Sequence, residues 1–234
     1  MKLVRSMDAW KRLELLIGNN ALNQLQSKTV LIVGLGGVGG YALEALARSG
    51  IGTLILVDHD VIEETNINRQ LIALHSTIGY QKVDAWKDRI KEINPNCKII
   101  TKNIFLTKEN IQDTLSEKID YIVDACDTIS TKMELIRYSI KNNIKMISSM
   151  GMGNKLDPSK LSIMELHKTS YDPIAKVLRK MMREEHITSK VMTVSSTEQP
   201  LSKTNEVIAS NAFVPAIAGL LCASYVVRDI IGEK

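Results

Sequence analysis

The stretch "KTVLIVGLGGVGGYALEALARSGIGTLILVD", Lys28 to Asp58, admits few folds. A β-branched run (Val30 to Val33) leads into a glycine turn, a helical stretch (Gly39 to Arg48) and a second β-rich run (Leu54 to Val57), which together make a βαβ unit. Gly34, Gly36 and Gly39 form G-x-G-x-x-G between strand and helix, where the backbone approaches a phosphate and helix-terminal amides face its charge. Asp58 closes the second strand, where an acid accepts hydrogen bonds from ribose hydroxyls. A glycine turn serving only helix packing is the competing reading, and it leaves the strand context and the acid unexplained.

The rest of the chain repeats this rhythm. Val83, Trp86, Ile90 and Ile93 recur at helical spacing, "KIITK" reads as a strand, and Thr107 is placed to cap a helix running toward Leu115. "YIVDACD" reads as a buried strand ending in acids, followed by a helix near Thr131 to Lys141 and a strand at "IKMISS". The expected fold is α/β: a doubly wound, mainly parallel Rossmann-like sheet with a C-terminal α/β extension. After residue 150 a strand at "LSIMEL" and a helix capped by Asp172 and opened by Pro173 are expected, whereas Val191 to Asn211 is polar and resists assignment.

With 234 residues and 44% hydrophobic positions, the chain suits a single domain, a nucleotide-binding core over 1–150 and a substrate-side extension over 151–234. The apolar run Phe213 to Val227 is short for a membrane span and holds Pro215, Gly219 and Ser224, so a buried helix is expected. Charges at the N-terminus, where a signal peptide needs an apolar stretch, point to a cytoplasmic protein. Cys97, Cys126 and Cys222 are scattered, with no C-x-x-C pair, which argues against disulfides and structural zinc. The formal charge of +4 is too mild to require a nucleic-acid partner.

Which nucleotide the glycine turn holds depends on "TNINRQ", Thr65 to Gln70, and on Lys82. Arg69 and Lys82 flank a helix start and bring two positive charges toward a triphosphate. Arginine holds phosphate oxygens through paired hydrogen bonds, and lysine acts as a compact charge. Taken singly, Lys82 also reads as a solvated first-turn residue and Arg69 as a surface ion-pair partner. An NAD dehydrogenase would leave Asn66, Arg69 and Lys82 without a task. Asp127, beyond the "YIVDACD" strand, is placed to hold a magnesium ion bridging phosphates. Asp124 reads as a strand-end acid with backbone partners, and Cys126 as core rather than nucleophile, no histidine being near it in sequence.

"GLGGVGG", "VDHD", "TNINRQ", "GYQKVD", "INP" and "DACDT" together resemble the adenylation domain of the ubiquitin-activating-enzyme (ThiF-like) superfamily, from about Arg12 to the C-terminal apolar helix. The resemblance implies ATP as cosubstrate, Gly37 as a phosphate-loop contact, Asp58 as ribose acceptor, Asn66 and Arg69 along the triphosphate, Lys82 as its neutraliser and Asp127 as organiser of Mg²⁺. It also implies a homodimer in which Arg12 reaches the partner's ATP, although Arg12 reads equally as an amphipathic-helix charge. The last position of "GGVGG" departs from the commoner serine.

"SSMGMGNKLDPSKLSIMELHKTSYDPIAKVLRKMMRE" is similar to the tRNA threonylcarbamoyladenosine dehydratase branch of that superfamily. This implies a tRNA substrate whose nucleoside in the anticodon loop, next to the anticodon, carries a threonine-derived carboxylate that is activated by adenylation and then attacked by a neighbouring atom of the same group. Proximity replaces an enzyme nucleophile in such a ring closure. Arg69, Lys82, Asp127 and Arg12 are the implied catalytic set. An adenylyltransferase for a carrier protein is the alternative, weakened by the missing zinc cysteines; a non-catalytic sulfur-relay partner is another. Whether a monovalent cation supports the loops stays open. On the helix after Asp172, Ile174, Val177, Leu178, Met181 and Met182 form an apolar face, and Lys176, Arg179, Lys180 and Arg183 offer a basic stripe to RNA or simply a solvated face.

Overall fold

The computed structural model describes residues 9–201 and 208–233. Part of the segment 191–211 therefore lies outside the described residues. Helices α1 (Lys11–Ile17) and α2 (Asn19–Gln26) precede the first βαβ unit, which consists of β1 (Thr29–Val33), α3 (Gly39–Arg48) and β2 (Thr53–Asp58). There follow α4 (Lys82–Ile93), β3 (Lys98–Asn103), α5 (Ile111–Thr114), β4 (Tyr121–Asp124), α6 (Ile129–Lys141) and β5 (Lys145–Ser149). The extension comprises β6 (Leu161–Glu165), α7 (Pro173–Glu184), β7 (Met192–Ser196) and α8 (Val214–Ile231).

The seven strands lie in the order β3-β2-β1-β4-β5-β7-β6. All neighbours are parallel except β6, which runs antiparallel to β7 on one edge. The expected doubly wound sheet is thus present. Strands β1, β2 and β4 are buried almost throughout, because helices cover both faces of a parallel sheet and their residues are near-continuously apolar. Successive strands run outward from β1 through β2 to β3, then return to β4 and proceed the other way. The crevice at the carboxyl ends of β1 and β4, where that direction reverses, is where such sheets bind ligands.

Helix α8 is long and apolar enough to cross a membrane by composition alone. Here it packs against α3 and the sheet, burying Val214, Ala218, Cys222 and Val226. Helix α7 is capped as its sequence demands: the Asp172 carboxylate accepts from the Ala175 backbone N–H at 2.9 Å, and Pro173 occupies the first turn. A different outcome holds after β3, where α5 spans only Ile111–Thr114. Asn110 Oδ1 accepts from the Thr107 N–H at 2.8 Å, which diverts the expected cap into a turn. Strand β7 emerges from the segment that resisted assignment. Its polar residues Thr193, Ser195 and Ser196 are buried inside the sheet, so no alternation of apolar and polar marks it.

Candidate active site

Two close approaches explain the glycine loop. Gly34 has φ +86°, and a β-carbon there would sit 2.7 Å from the Ala125 carbonyl oxygen, so the chain leaving β1 crosses the end of β4 on glycine alone. Gly39 opens α3 with its α-carbon pressed onto the turn, where a β-carbon would lie 1.7 Å from the Gly34 carbonyl oxygen. Gly34, Gly36 and Gly37 line the crevice, and Gly39 packs directly beneath the loop they form. Asp58 holds the same loop from the side. One carboxylate oxygen accepts from the Leu35 backbone N–H at 2.6 Å and the other from the Asp60 N–H at 2.8 Å. A carboxylate accepts about four hydrogen bonds, so Asp58 keeps capacity for a ribose.

The crevice is a cavity of about 420 Å³ that runs from the glycine loop to the Gly151–Gly153 loop after β5. Asn66, Arg69, Gln70 and Lys82 line it together. Asn66 is buried, and its side-chain oxygen accepts from the Glu63 N–H at 3.2 Å, closing a short 3₁₀ turn whose other cap is Glu63 itself. That turn fixes Arg69 three residues on, where the guanidinium donates to Thr65 O at 3.0 Å and Asn68 Oδ1 at 2.8 Å. Arg69 forms no ion pair among the described residues, so the reading of it as an ion-pair partner fails. Its aliphatic stem lies against Gly37, where a β-carbon would meet Cγ at 3.2 Å.

Lys82 is the first residue of α4, yet it is 5% exposed and its ammonium sits 2.6 Å from Asp60 Oδ2. The solvated first-turn reading is thereby excluded. Asp60 and Gln70 are pocket residues that sequence reasoning passed over. Gln70 is 7% exposed beneath Gly36, and its buried Oε1 has no hydrogen-bond partner. The charged lining is thus Arg69 and Lys82 against Asp58, Asp60 and Asp127, so side chains alone do not make the pocket electropositive. At the opposite wall, Ile104, Phe105 and Leu106 form an apolar lip, with Phe105 edge-on to His59 at 4.9 Å.

Asp127 is exposed at the mouth of the cavity and accepts from the Thr128 hydroxyl at 3.3 Å. Asp124 departs from expectation. Its partners are not only backbone groups but also the Ser148 hydroxyl at 2.6 Å and the Lys132 ammonium at 3.1 Å. Lys132 is fully buried and also donates to Ser149 O at 2.7 Å. Burial favours the neutral amine, but the adjacent Asp124 carboxylate outweighs it and raises the Lys132 pKa. This pair braces the loop that carries Asp127 against β5.

Cys126 lines the cavity with its thiol 3.0 Å from Asp124 Oδ1. Burial, reinforced by that carboxylate, pushes the thiol well above its ordinary pKa, so it stays protonated at neutral pH and is a poor nucleophile. Burial likewise raises Cys97 to about 11 and Cys222 to about 12. Alkylation of the native protein by iodoacetamide at pH 7.5 is expected to be slow at all three and to accelerate on unfolding, as peptide mass spectrometry reports.

Several expected residues are not brought to the cavity. Arg12 is exposed on α1, a helix with no buried residue, and does not line the cavity of its own chain. The basic stripe on α7 is split. Lys176 is exposed, Lys180 pairs with Glu184 at 3.7 Å, and Arg179 turns inward to donate to Leu166 O, Thr169 O and the Thr169 hydroxyl. Of the apolar face, Leu178 and Met182 are buried, but Val177 is 39% exposed. Another buried pair was not foreseen. Asp172 Oδ2 accepts from the Gly151 N–H at 2.9 Å and stands 3.5 Å from the Lys155 ammonium, which donates to Gly151 O at 2.6 Å. The start of α7 is thus fastened to the loop on the substrate side of the cavity.

Comparison with known proteins places this arrangement. A profile described as "ThiF family" matches residues 11–234. The tRNA threonylcarbamoyladenosine dehydratase of Bacillus subtilis (strain 168) is 43% identical over 241 residues, covering 96% of this chain and 95% of that protein. The Escherichia coli (strain K12) protein of the same name is 36% identical, with 76% and 68% covered. Among solved structures, E. coli tRNA N6-threonylcarbamoyladenosine dehydratase in complex with ATP superposes with a TM-score of 0.92 at 30% identity, covering 100% of this chain and 98% of that one.

Proposed function

Because the chain belongs to the ThiF family, we propose that it is an ATP-dependent tRNA threonylcarbamoyladenosine dehydratase. The observation that carries this reading is the cradle of Arg69, Lys82 and Asn66 around the glycine loop, in a chain collinear with dehydratases along nearly its whole length. ATP fits the cavity: the apolar lip offers a wall for the base, Asp58 a ribose acceptor, and the loop amides and Arg69 a phosphate site. Lys82 holds its charge in place through Asp60 until phosphate oxygens compete for it.

Two side-chain cations cannot balance a triphosphate while three carboxylates share the site. A hard divalent cation such as Mg²⁺ supplies the missing charge. Asp127 suits it as a ligand, being an acid at the cavity mouth with most of its acceptor capacity unused. When bound, the ion neutralises charge on the phosphates.

The chemistry requires a leaving group, because loss of oxide or hydroxide from a carboxylate is unfavourable. The carboxylate oxygen of the threonylcarbamoyl group attacks the α-phosphorus, and the bond to the bridging oxygen of pyrophosphate breaks. Arg69 and Lys82 stabilise the charge that builds on the phosphate oxygens. A urea atom of the same group then attacks the activated carbonyl, AMP departs, and a proton is lost to solvent; the nucleoside has lost one water. No enzyme nucleophile is needed, in keeping with the protonated Cys126. Arg12, exposed on α1, serves the site of a second copy in a homodimer, and the protein acts in the cytoplasm, in keeping with a tRNA substrate. Carrier-protein adenylation is the less favoured reading, and a sulfur-transfer partner or a monovalent cation is not needed for these steps.

Incubation of the protein with ATP, Mg²⁺ and tRNA bearing threonylcarbamoyladenosine is expected to convert that nucleoside to a species 18 mass units lighter, the mass of one water, with AMP and pyrophosphate as coproducts. Nucleoside mass spectrometry reads the first and chromatography of the nucleotides the second. ADP and phosphate instead would overturn adenylation, and an unchanged nucleoside would overturn the dehydratase. Cys126→Ala is expected to retain turnover within about threefold, a change too small for loss of a nucleophile.

A further inference from the structure

The described residues hold a second large cavity, of about 540 Å³, at the far end of α7 from the ATP crevice. Helix α7 links the two. Ile174 in its first turn lines the crevice, whereas Met182 and Arg183 in its last turn line the second cavity. Met182 lies eight residues beyond Ile174, about 12 Å along the helix axis. That is the rise of roughly three to four phosphates along one strand of a nucleic acid helix.

The floor of this cavity is apolar, built from Leu166, Met182, Ile187 and Val191. Its rim is basic. Arg183 is exposed and unpaired among the described residues, since its acidic neighbours Glu184 and Glu185 pair with Lys180 and Arg137. One carboxylate, Glu165, is shared by His167 at 3.2 Å, Lys168 at 3.8 Å and Lys190 at 3.6 Å, so positive charge remains in excess. Arg179 locks the wall rather than adding a free charge, through its bonds to Leu166 O and Thr169 O. The volume suits a small-molecule-sized group. An apolar floor beside the free Arg183 guanidinium plane and the Lys190 ammonium suits an unstacked base with its phosphate, the form in which single-stranded RNA is read.

We propose that this cavity is a second RNA site, which seats a nucleotide of the anticodon arm some distance from the modified adenosine, with Arg183 and Lys190 on phosphate. This rests on the tRNA substrate argued above. The Asp172–Lys155–Gly151 contacts tie the N-terminus of the same helix to the crevice, so RNA held at one end of α7 is held in register with the reacting group at the other.

The test uses two substrates: an anticodon stem-loop, and a trinucleotide centred on the modified adenosine that spans only the crevice. Arg183→Glu is expected to raise KM for the stem-loop on the order of tenfold with kcat nearly unchanged, and to lower the salt slope of stem-loop binding by about one. Ile187→Trp, which fills the cavity without changing charge, is expected to raise the same KM; trinucleotide kinetics and ATP affinity should not move in either variant. An unchanged stem-loop KM in both variants, or equal losses on both substrates, overturns the proposal, as does binding of free nucleotides or inorganic phosphate in the cavity with RNA affinity unaffected. Failure of the dehydratase reading looks different: the wild type then yields no cyclised product from either substrate, and fluorescence anisotropy of a labelled stem-loop still decides whether Arg183 contacts RNA.

Discussion

Arg69→Ala is expected to lower kcat/KM for tRNA conversion by roughly 10²–10³, the usual loss when one preorganised donor to developing charge is removed. The side chain is prepared for that task. The 3₁₀ turn closed by Asn66 sets its backbone, Thr65 O and Asn68 Oδ1 orient the guanidinium, and no acid neutralises it among the described residues. Loss of activity with little change in melting temperature is the expected pattern, because the residue is only half-buried and its hydrogen bonds are local. Arg69→Lys should recover little, since an ammonium cannot make paired parallel bonds to phosphate. Single-turnover formation of AMP separates this step from product release. If AMP forms in Arg69→Ala at the wild-type rate, the guanidinium has no part in activation.

Lys132→Met is expected to be the most damaging substitution for stability. It would leave Asp124 fully buried with only the Ser148 hydroxyl, the Cys126 N–H and the Cys126 thiol as partners. Removing one member of a buried ion pair costs about 3–5 kcal/mol, a large share of the roughly 5–15 kcal/mol that holds a folded domain. For a chain of this size that lowers the melting temperature by about 6–20 °C. The double variant Lys132→Met with Asp124→Asn removes both charges and keeps an acceptor for Ser148, so it should regain much of the loss. A double variant no more stable than the single one would mean that Lys132 acts through packing rather than charge. Calorimetry of the three proteins decides between these. Because the pair braces the 125–128 loop, the double variant is also expected to bind Mg·ATP more weakly than the wild type.

The nucleotide crevice was legible in the letters because its parts are local. A strand, a glycine turn, a helix and a terminal acid occur within 31 consecutive residues, and each has its own composition. The cap at Asp172 and Pro173 was legible for the same reason. Residues whose meaning depends on a distant partner were not. Lys132 looks like one charge on an amphipathic helix until β4 and β5 place Asp124 and Ser149 beside it. Lys82 looks solvated until Asp60 and the loop above it enclose it. Strand β7 was hidden because all of its buried side chains except Val194 are hydroxyls.

Local periodicity and the glycine pattern therefore settle the winding of the sheet and the place of the phosphate loop, since backbone sterics and apolar burial act over a few residues at a time. Charge in the pocket is another matter. Long-range contacts set which cations are free and which are already answered, and they turn Arg179 inward and leave Arg183 open. Burial and pairing between segments far apart in the chain decide the energy of a charge, and those are properties of the folded molecule alone.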